Sequence, residues 1–257
     1  MNSAHASPRG PSVDGSAAAE VATQAGRLLL DVRARGGAAA ELKAAGDRSS
    51  HLLILDELGR RFPDDAILSE EGADDLVRLD HRRVWIVDPL DGTREFSEPP
   101  RVDWAVHVAL VIDGALVEGA VALPSRGLTL STSGENALPG PVVHDRPPRL
   151  VVSRTRPTEH GQILAERLCA ELVPMGSAGA KAMAVVLGEA DVYAHSGGQY
   201  EWDSAAPVAV AAAAGFHVSR LDGSPLHYNQ SNPWLPDVLI CRPDLARVVI
   251  DLCREFR

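Results

Sequence analysis

Val84-Trp85-Ile86-Val87-Asp88-Pro89-Leu90-Asp91-Gly92-Thr93 is the stretch on which the reading of this chain turns. Four apolar residues form a buried strand, and two carboxylates and a glycine follow directly. Acids at the end of a buried strand sit at the rim of the core, where desolvation disfavours their charge. A second stretch repeats the arrangement, Ala66-Ile67-Leu68 running into Ser69-Glu70-Glu71-Gly72. A third, Trp202-Asp203-Ser204-Ala205-Ala206-Pro207, opens an alanine-rich helix with Asp203 at or near its N-terminus. Taken singly, Asp88 to Thr93 is turn chemistry, Glu70-Glu71 a solvated pair and Asp203 a helix cap. Taken together, they gather anions that repel strongly unless cations neutralise them. No His or Cys accompanies either strand-end cluster, and oxygen-only ligands select magnesium or manganese over zinc.

The rest of the chain supplies a frame for these acids. Its 257 residues suffice for one large domain or two closely packed halves, and 45% hydrophobic content is ordinary for a buried core. With only 4% aromatics, alanine, valine and leucine must fill that core. No run of 18 or more apolar residues marks a membrane span. Residues 1–15, small and polar, read as a disordered N-terminal segment rather than a secretory signal. Cys169, Cys241 and Cys253 lack metal-type spacing and read as reduced core thiols of a cytoplasmic protein. A net charge of -10 opposes binding to a nucleic-acid polymer. It also repels a phosphorylated substrate, a conflict that bound cations resolve. Lys43 and Lys181 are the only lysines against 23 arginines, so each persists against a strong compositional bias.

Periodicity predicts helices over residues 16–35 (Val21, Ala25, Leu28, Val32 inward) and from about Ser50 to Phe62 (Leu52, Leu55, Leu58, Phe62 inward). Strands are predicted at 66–68 and 84–87. Trp104, Val106, Val108, Leu110 and Ile112 alternate on one face before an Asp113-Gly114 hairpin turn into Ala115–Ala122. The Pro/Gly-rich stretch 134–148 separates two halves, 16–145 and 146–257. In the second half, a strand at 151–153, a helix from Thr158 to Leu172, helices at about 180–188 and 204–214, strands at 191–194, 217–220 and 238–241, and a helix from Asp244 are expected. His107, inside an alternating strand, reads as a packed core residue. Arg154 and Arg156 are candidate phosphate contacts. Asp74, just past the second acidic cluster, is given no role.

Glu70-Glu71, Asp88-Pro-Leu-Asp-Gly-Thr and Trp202-Asp203 resemble, in order and spacing, the signatures of the inositol monophosphatase superfamily. The resemblance runs from about residue 16 to the C-terminus. It implies a layered αβαβα sugar-phosphatase fold of the α/β (α+β) class, with a mainly antiparallel sheet first and a mixed sheet with helices second. Trp85–Phe96, Gly176-Ser-Ala-Gly-Ala-Lys181 and Leu221-Asp-Gly-Ser-Pro-Leu-His-Tyr-Asn229 are most similar to CysQ-type 3'-phosphoadenosine 5'-phosphate phosphatases. Carried over, the resemblance gives one magnesium to Glu70, Asp88 and the Leu90 carbonyl, and a second to Asp88, Asp91 and Asp203. Two such ions about 3.5–4 Å apart clamp the attacking and leaving oxygens of an in-line displacement. Asp47 and Thr93 would orient and deprotonate the attacking water, and the amides of Gly92 and Thr93 would cradle phosphate. Glu71 becomes an outer residue or a ligand for a third ion. Ser177 and Lys181, with Asp91, Gly92, Thr93 and Asp203, face the substrate. The segment before Asp47, Leu-Lys-Ala-Ala-Gly, departs from the Ser-Pro-x-Thr of many relatives.

The implied activity is magnesium-dependent removal of the 3'-phosphate from that nucleotide, by a homodimer. Inositol monophosphate, fructose bisphosphate and other nucleotides remain alternatives, because specificity lives in loops. Binding to the transcription machinery is a further class, which the net charge and the intact acidic set disfavour.

Overall fold

The computed structural model describes residues 12–133, 138–155 and 157–255. Two five-stranded sheets alternate with three pairs of helices, giving the five layers that the resemblance implies. The outermost pair is α1 (Val13–Ala34) and α2 (Ala39–Arg61). They cover one face of the first sheet: β1 (Ala66–Ser69), β2 (Arg83–Asp91), β3 (Ala105–Ile112), β4 (Ala115–Leu123) and β5 (Leu128–Ser131), in sequential order. β1 and β2 are parallel and the remaining pairs antiparallel. α3 (Thr93–Ser97) is a single turn after β2. The second sheet runs in the order β7 (Glu171–Met175), β6 (Arg149–Ser153), β8 (Val192–Tyr200), β10 (Trp234–Cys241), β9 (His217–Ser219) and mixes parallel with antiparallel pairs. α5 (Ala178–Val186) and α6 (Glu201–Ala213) lie between the sheets, and α4 (Glu159–Leu168) and α7 (Pro243–Glu255) cover the far face. Among the described residues no helix is long and apolar enough to cross a membrane.

The alternation in β3 has the expected consequence on one face and an unexpected one on the other. Trp104, Val106, Val108 and Leu110 pack under α1 and α2. The intervening Ala105, Ala109 and Val111 are equally buried, in the core against α5 and α6. The small residues of α6 permit this close stacking: a Cβ on Gly119 of β4 would lie 2.6 Å from that of Ala209.

Five expectations need correcting. α1 begins at Val13, not 16, because Ser12 caps it by accepting the amide of Gly15; residues 1–11 lie outside those described, as do Arg156 and 134–137 of the boundary stretch. α2 starts eleven residues earlier than periodicity indicates, since Ala39-Ala-Glu-Leu-Lys-Ala-Ala is a helix-forming run with no apolar stripe. Its buried face is Leu42, Gly46, Ser50, Ile54 and Leu58, while Leu52 is exposed. The helix expected to reach Leu172 stops at Leu168. Cys169, at φ 51°, ends it and is exposed rather than a core thiol, and Glu171–Met175 becomes a strand. Pro174 is tolerated there because β7 is an edge strand.

Candidate active site

Parallel pairing brings the first two acidic clusters together. Ser69 stands beside Val87, and the Glu70 amide donates to the Val87 carbonyl at 3.3 Å, so Glu70 emerges next to Asp88. Across the sheet, the β2–β3 register sets His107 directly opposite Asp88. An irregularity then lets Pro89-Leu90 bulge before Asp91 pairs with Ala105. The bulge is pinned twice. The Leu90 amide donates to Asp88 Oδ1 at 3.0 Å, and the buried Ser50 hydroxyl of α2 donates to the Pro89 carbonyl at 2.6 Å. One turn earlier, Gly46 lets α2 approach Leu90 and Phe96, with Asp47 the next residue along the helix. Gly92 has φ 85°, a conformation that favours glycine. A side chain there would press on Ser177 and Trp104. Gly92 and Thr93 are half-buried at the start of α3.

The second half delivers two helix starts. α6 begins at Glu201, one turn ahead of the alanine run, so Asp203 is its third residue rather than its cap. Its Oδ2 accepts the Tyr200 amide at 2.6 Å. The Trp202 carbonyl accepts from His107 Nδ1 at 3.0 Å, and His107 Nε2 lies 3.3 Å from Asp91 Oδ2. The start of α5 converges on the same carboxylate. Ser177 Oγ (2.5 Å) and the Gly179 amide (2.6 Å) donate to Asp91 Oδ2, and the Ala178 amide donates to Oδ1 at 3.1 Å. The small residues of the Gly176–Lys181 segment are thus a packing requirement: a Cβ at Gly176 would collide with Glu95, and one at Gly179 with the His107 ring. Arg154, expected near phosphate, instead bridges Asp103 (2.7 Å) and Glu95 (3.4 Å), and Asp103 accepts the Gly176 amide.

The electrostatics are those of anions crowded out of water. Burial, and then the charges of Glu70, Asp91 and Asp203, push Asp88 well above the usual carboxylate range. Glu70 is exposed at the rim of the site, yet partial desolvation by its neighbours raises it to about 7, with repulsion from Asp203, Asp91 and Glu71 adding to it. Burial and then Asp91 lift Asp203 to about 6. Asp47 rises to about 6 through burial and the nearby Glu71. Burial opposes ionisation of Asp91 as well. There the His107 contact and charge, with the Ser177 and Gly179 donors, prevail and hold it at about 2. Burial likewise opposes charge on His107, and its ion-pair contact with Asp91 and its bond to Trp202 outweigh that and raise its pKa.

Three acids that resist ionisation side by side, with a fourth fixed as an anion, suit a multiply charged cation. Asp88, Asp91 and His107, all buried, each present a ligand atom within 4.8 Å of the others. His107 Nδ1 is taken up by the Trp202 carbonyl, and Nε2 makes a 3.3 Å ion-pair contact with Asp91 without an aligned hydrogen bond, so the site offers a cation mainly carboxylate oxygens, which fits a hard divalent ion. His107 is therefore the functional residue that reading the sequence missed. It is packed, as expected, but it orients Asp91. Lys181 is buried with Nζ 5.1 Å from the centre of the Tyr193 ring, and its charge acts on Asp203.

Residues 14–248 match the Inositol monophosphatase family. The chain is 50% identical over 255 residues to the 3'-phosphoadenosine 5'-phosphate phosphatase of Mycobacterium leprae (strain TN), covering 94% of each. It is 35% identical over 204 residues to the 3'(2'),5'-bisphosphate nucleotidase CysQ of Escherichia coli (strain K12), covering 74% of this chain and 81% of that one. Among solved structures, CysQ from Bacteroides thetaiotaomicron superposes with a TM-score of 0.73 at 28% identity, over 89% of this chain and 96% of that one. Inositol monophosphatase II from Staphylococcus aureus MSSA476 gives 0.79 at 20% identity, over 92% and 93%, a likeness of fold.

Proposed function

This chain belongs to the inositol monophosphatase family, and from that premise we propose that it hydrolyses the 3'-phosphate of 3'-phosphoadenosine 5'-phosphate to AMP and inorganic phosphate. The observation that carries this reading is half-identity, over nearly the whole of both chains, to a phosphatase of that name. The intact acidic set supports it. Glu70, Asp88, the Leu90 carbonyl, Asp91 and Asp203 would hold divalent cations, magnesium with manganese as a substitute, and Asp88 would serve two of them. Bound there, such ions neutralise phosphate charge and favour attack by water. The protein's own part is to bring the reactants together. Asp47, at about 6, is tuned to take a proton near neutrality, and with Thr93 it would orient the attacking water. The Gly92 and Thr93 amides would receive phosphate oxygens. Glu71 would act as an outer residue that keeps Asp47 basic, or as a ligand for a further ion. Ser177 and Lys181 would border the substrate through Asp91 and Asp203 rather than by direct reach. A homodimer in the cytoplasm completes the proposal, and light scattering at micromolar concentration tests the association.

The decisive experiment is phosphate release, with magnesium, from 3'-phosphoadenosine 5'-phosphate, inositol 1-phosphate and fructose 1,6-bisphosphate. The proposal expects the nucleotide to have the highest kcat/KM by at least tenfold. Equal or better turnover of either sugar phosphate refutes the substrate assignment while leaving the phosphatase intact.

A further inference from the structure

Glu201 is fully buried and has no part in the chemistry above. Its carboxylate accepts the amides of Asn229 (2.6 Å) and Gln230 (2.8 Å). Asn229, which ends the Leu221–Asn229 stretch, has φ 59°, and its Oδ1 accepts from Arg78 Nη1 at 2.6 Å. Arg78 is only 3% exposed. Its Nη2 donates to the Gln230 carbonyl and to Asp74 Oδ2, both at 2.8 Å, and its Nε to Asp74 Oδ1 at 3.0 Å. A continuous set of hydrogen bonds thus joins Asp74, Arg78, the 229–230 backbone and Glu201. Tyr228 adds a second tie, its hydroxyl 3.2 Å from that of Ser204 on α6.

The ends of this set are informative. Asp74 lies on the connection that leaves Glu70 and Glu71, while Glu201 opens α6 two residues before Asp203. Two carboxylates brought to one site repel unless a cation lies between them. α6 already packs on the first sheet, and a tie close to the two acids would fix their spacing more finely. A buried guanidinium is well suited to that, because its planar fork fixes direction as well as distance. We infer that Asp74, Arg78, Asn229 and Glu201 form a clasp between the halves that sets the spacing of Glu70 and Asp203, and thereby the affinity for a divalent cation. They are positioning residues, and the inference rests on the reading of the carboxylates as a cation site. With the clasp loosened, the cation must first draw the segments together. Apparent affinity then falls by the fraction of molecules already closed, while the filled site works as before.

Asn229→Gly tests this gently, since glycine accepts the left-handed backbone and keeps the amide that Glu201 uses, losing only the acceptor for Arg78. Asn229→Asp restores an oxygen acceptor. The probe is Mn²⁺ alone, titrated into metal-free full-length protein, with free ion followed by electron paramagnetic resonance and melting temperature recorded alongside. Asn229→Gly should bind Mn²⁺ roughly tenfold more weakly, the lower end for residues that support metal ligands. Asn229→Asp should recover most of that loss, and saturating metal should return Asn229→Gly to near wild-type kcat. Wild-type Mn²⁺ affinity in Asn229→Gly overturns the clasp. So does a lost kcat that saturating metal does not restore, which would mark a purely structural role. If the wild-type chain binds no Mn²⁺, the cation reading fails and the clasp's function fails with it.

Discussion

Gly46→Ala would separate site geometry from global stability. Gly46 is buried in the middle of α2, and a Cβ there would stand 2.8 Å from Phe96 Cε1 and 2.9 Å from Leu90 Cδ2. Leu90 and Phe96 are themselves almost wholly buried, so neither can yield cheaply. Ordinary carbon contact begins near 3.4 Å, so α2 or its neighbours must move by at least about 0.6 Å. Overpacking of this kind costs about 1–3 kcal/mol, and replacing a helical glycine by alanine returns up to about 1 kcal/mol. The net loss of about 0–2 kcal/mol lowers Tm by up to roughly 8 °C. Activity should suffer more. Asp47 is the next residue, and the Ser50–Pro89 bond one turn on holds the bulge that bears Leu90. Displacement approaching 1 Å at positioned groups costs up to about a hundredfold, so kcat should fall about 10- to 100-fold at a temperature where the variant is folded. Gly59→Ala, on the same helix with nothing within 4 Å, is the control; it should raise stability by about 0.5–1 kcal/mol and leave turnover unchanged. Differential scanning calorimetry and steady-state kinetics on both variants provide the comparison. Wild-type kcat in Gly46→Ala would refute the claim that α2 positions the site.

Asp88→Asn should lower kcat at least about a thousandfold, near 4 kcal/mol, if one carboxylate serves two cations; a loss no larger than that of Asp56→Asn on the exposed face of α2 would contradict the assignment. Asp74 is unsuited to that control, because it holds Arg78. Acids raised in the fold, such as Asp203 at about 6, keep protons that the unfolded chain has released, so the metal-free protein loses stability as pH rises from about 4 to 7. For Asp203 alone the difference is up to about 3 kcal/mol, so the Tm increment caused by magnesium should grow with pH by roughly 6–12 °C, and an increment independent of pH between about 5 and 7.5 would count against it. Lys181→Met should slow nucleotide and inositol phosphate hydrolysis alike if the lysine acts through Asp203, whereas a loss confined to the bisphosphorylated nucleotide would make it a direct substrate contact.

Where the fold could be read in advance, a local rule carried the reading. β2 ending in its acids, the β3 face and the Asp113-Gly114 turn are each written in a few adjacent residues. The buried face of α2 was hidden because two of its five members are Gly46 and Ser50, chosen for close approach and for a hydrogen bond rather than for apolar area. β7 was absorbed into a helix because Leu164, Leu168 and Leu172 keep helical phase past the left-handed Cys169. His107 looked like any alternating strand residue, and only the register that sets it opposite Asp88 gives it a task. The Gly176–Lys181 segment was legible as small, but its reason, room for Glu95 and His107, lies in residues far away. Arg78 and Asn229 meet across a sequence separation of 151, with no motif to announce the pair.

Proton release on cation binding bears most directly on the claim that the clustered acids form a divalent-cation site. Magnesium would be titrated calorimetrically into metal-free protein at pH about 6.5, in buffers of different ionisation heat. Most of Glu70, at about 7, retains its proton there, and burial favours the protonated form of Asp88 as well, so a cation must displace protons. Net proton release is expected, diminishing as pH rises and reduced in Asp88→Asn. Magnesium binding with no proton release, or no magnesium binding at all, would contradict it.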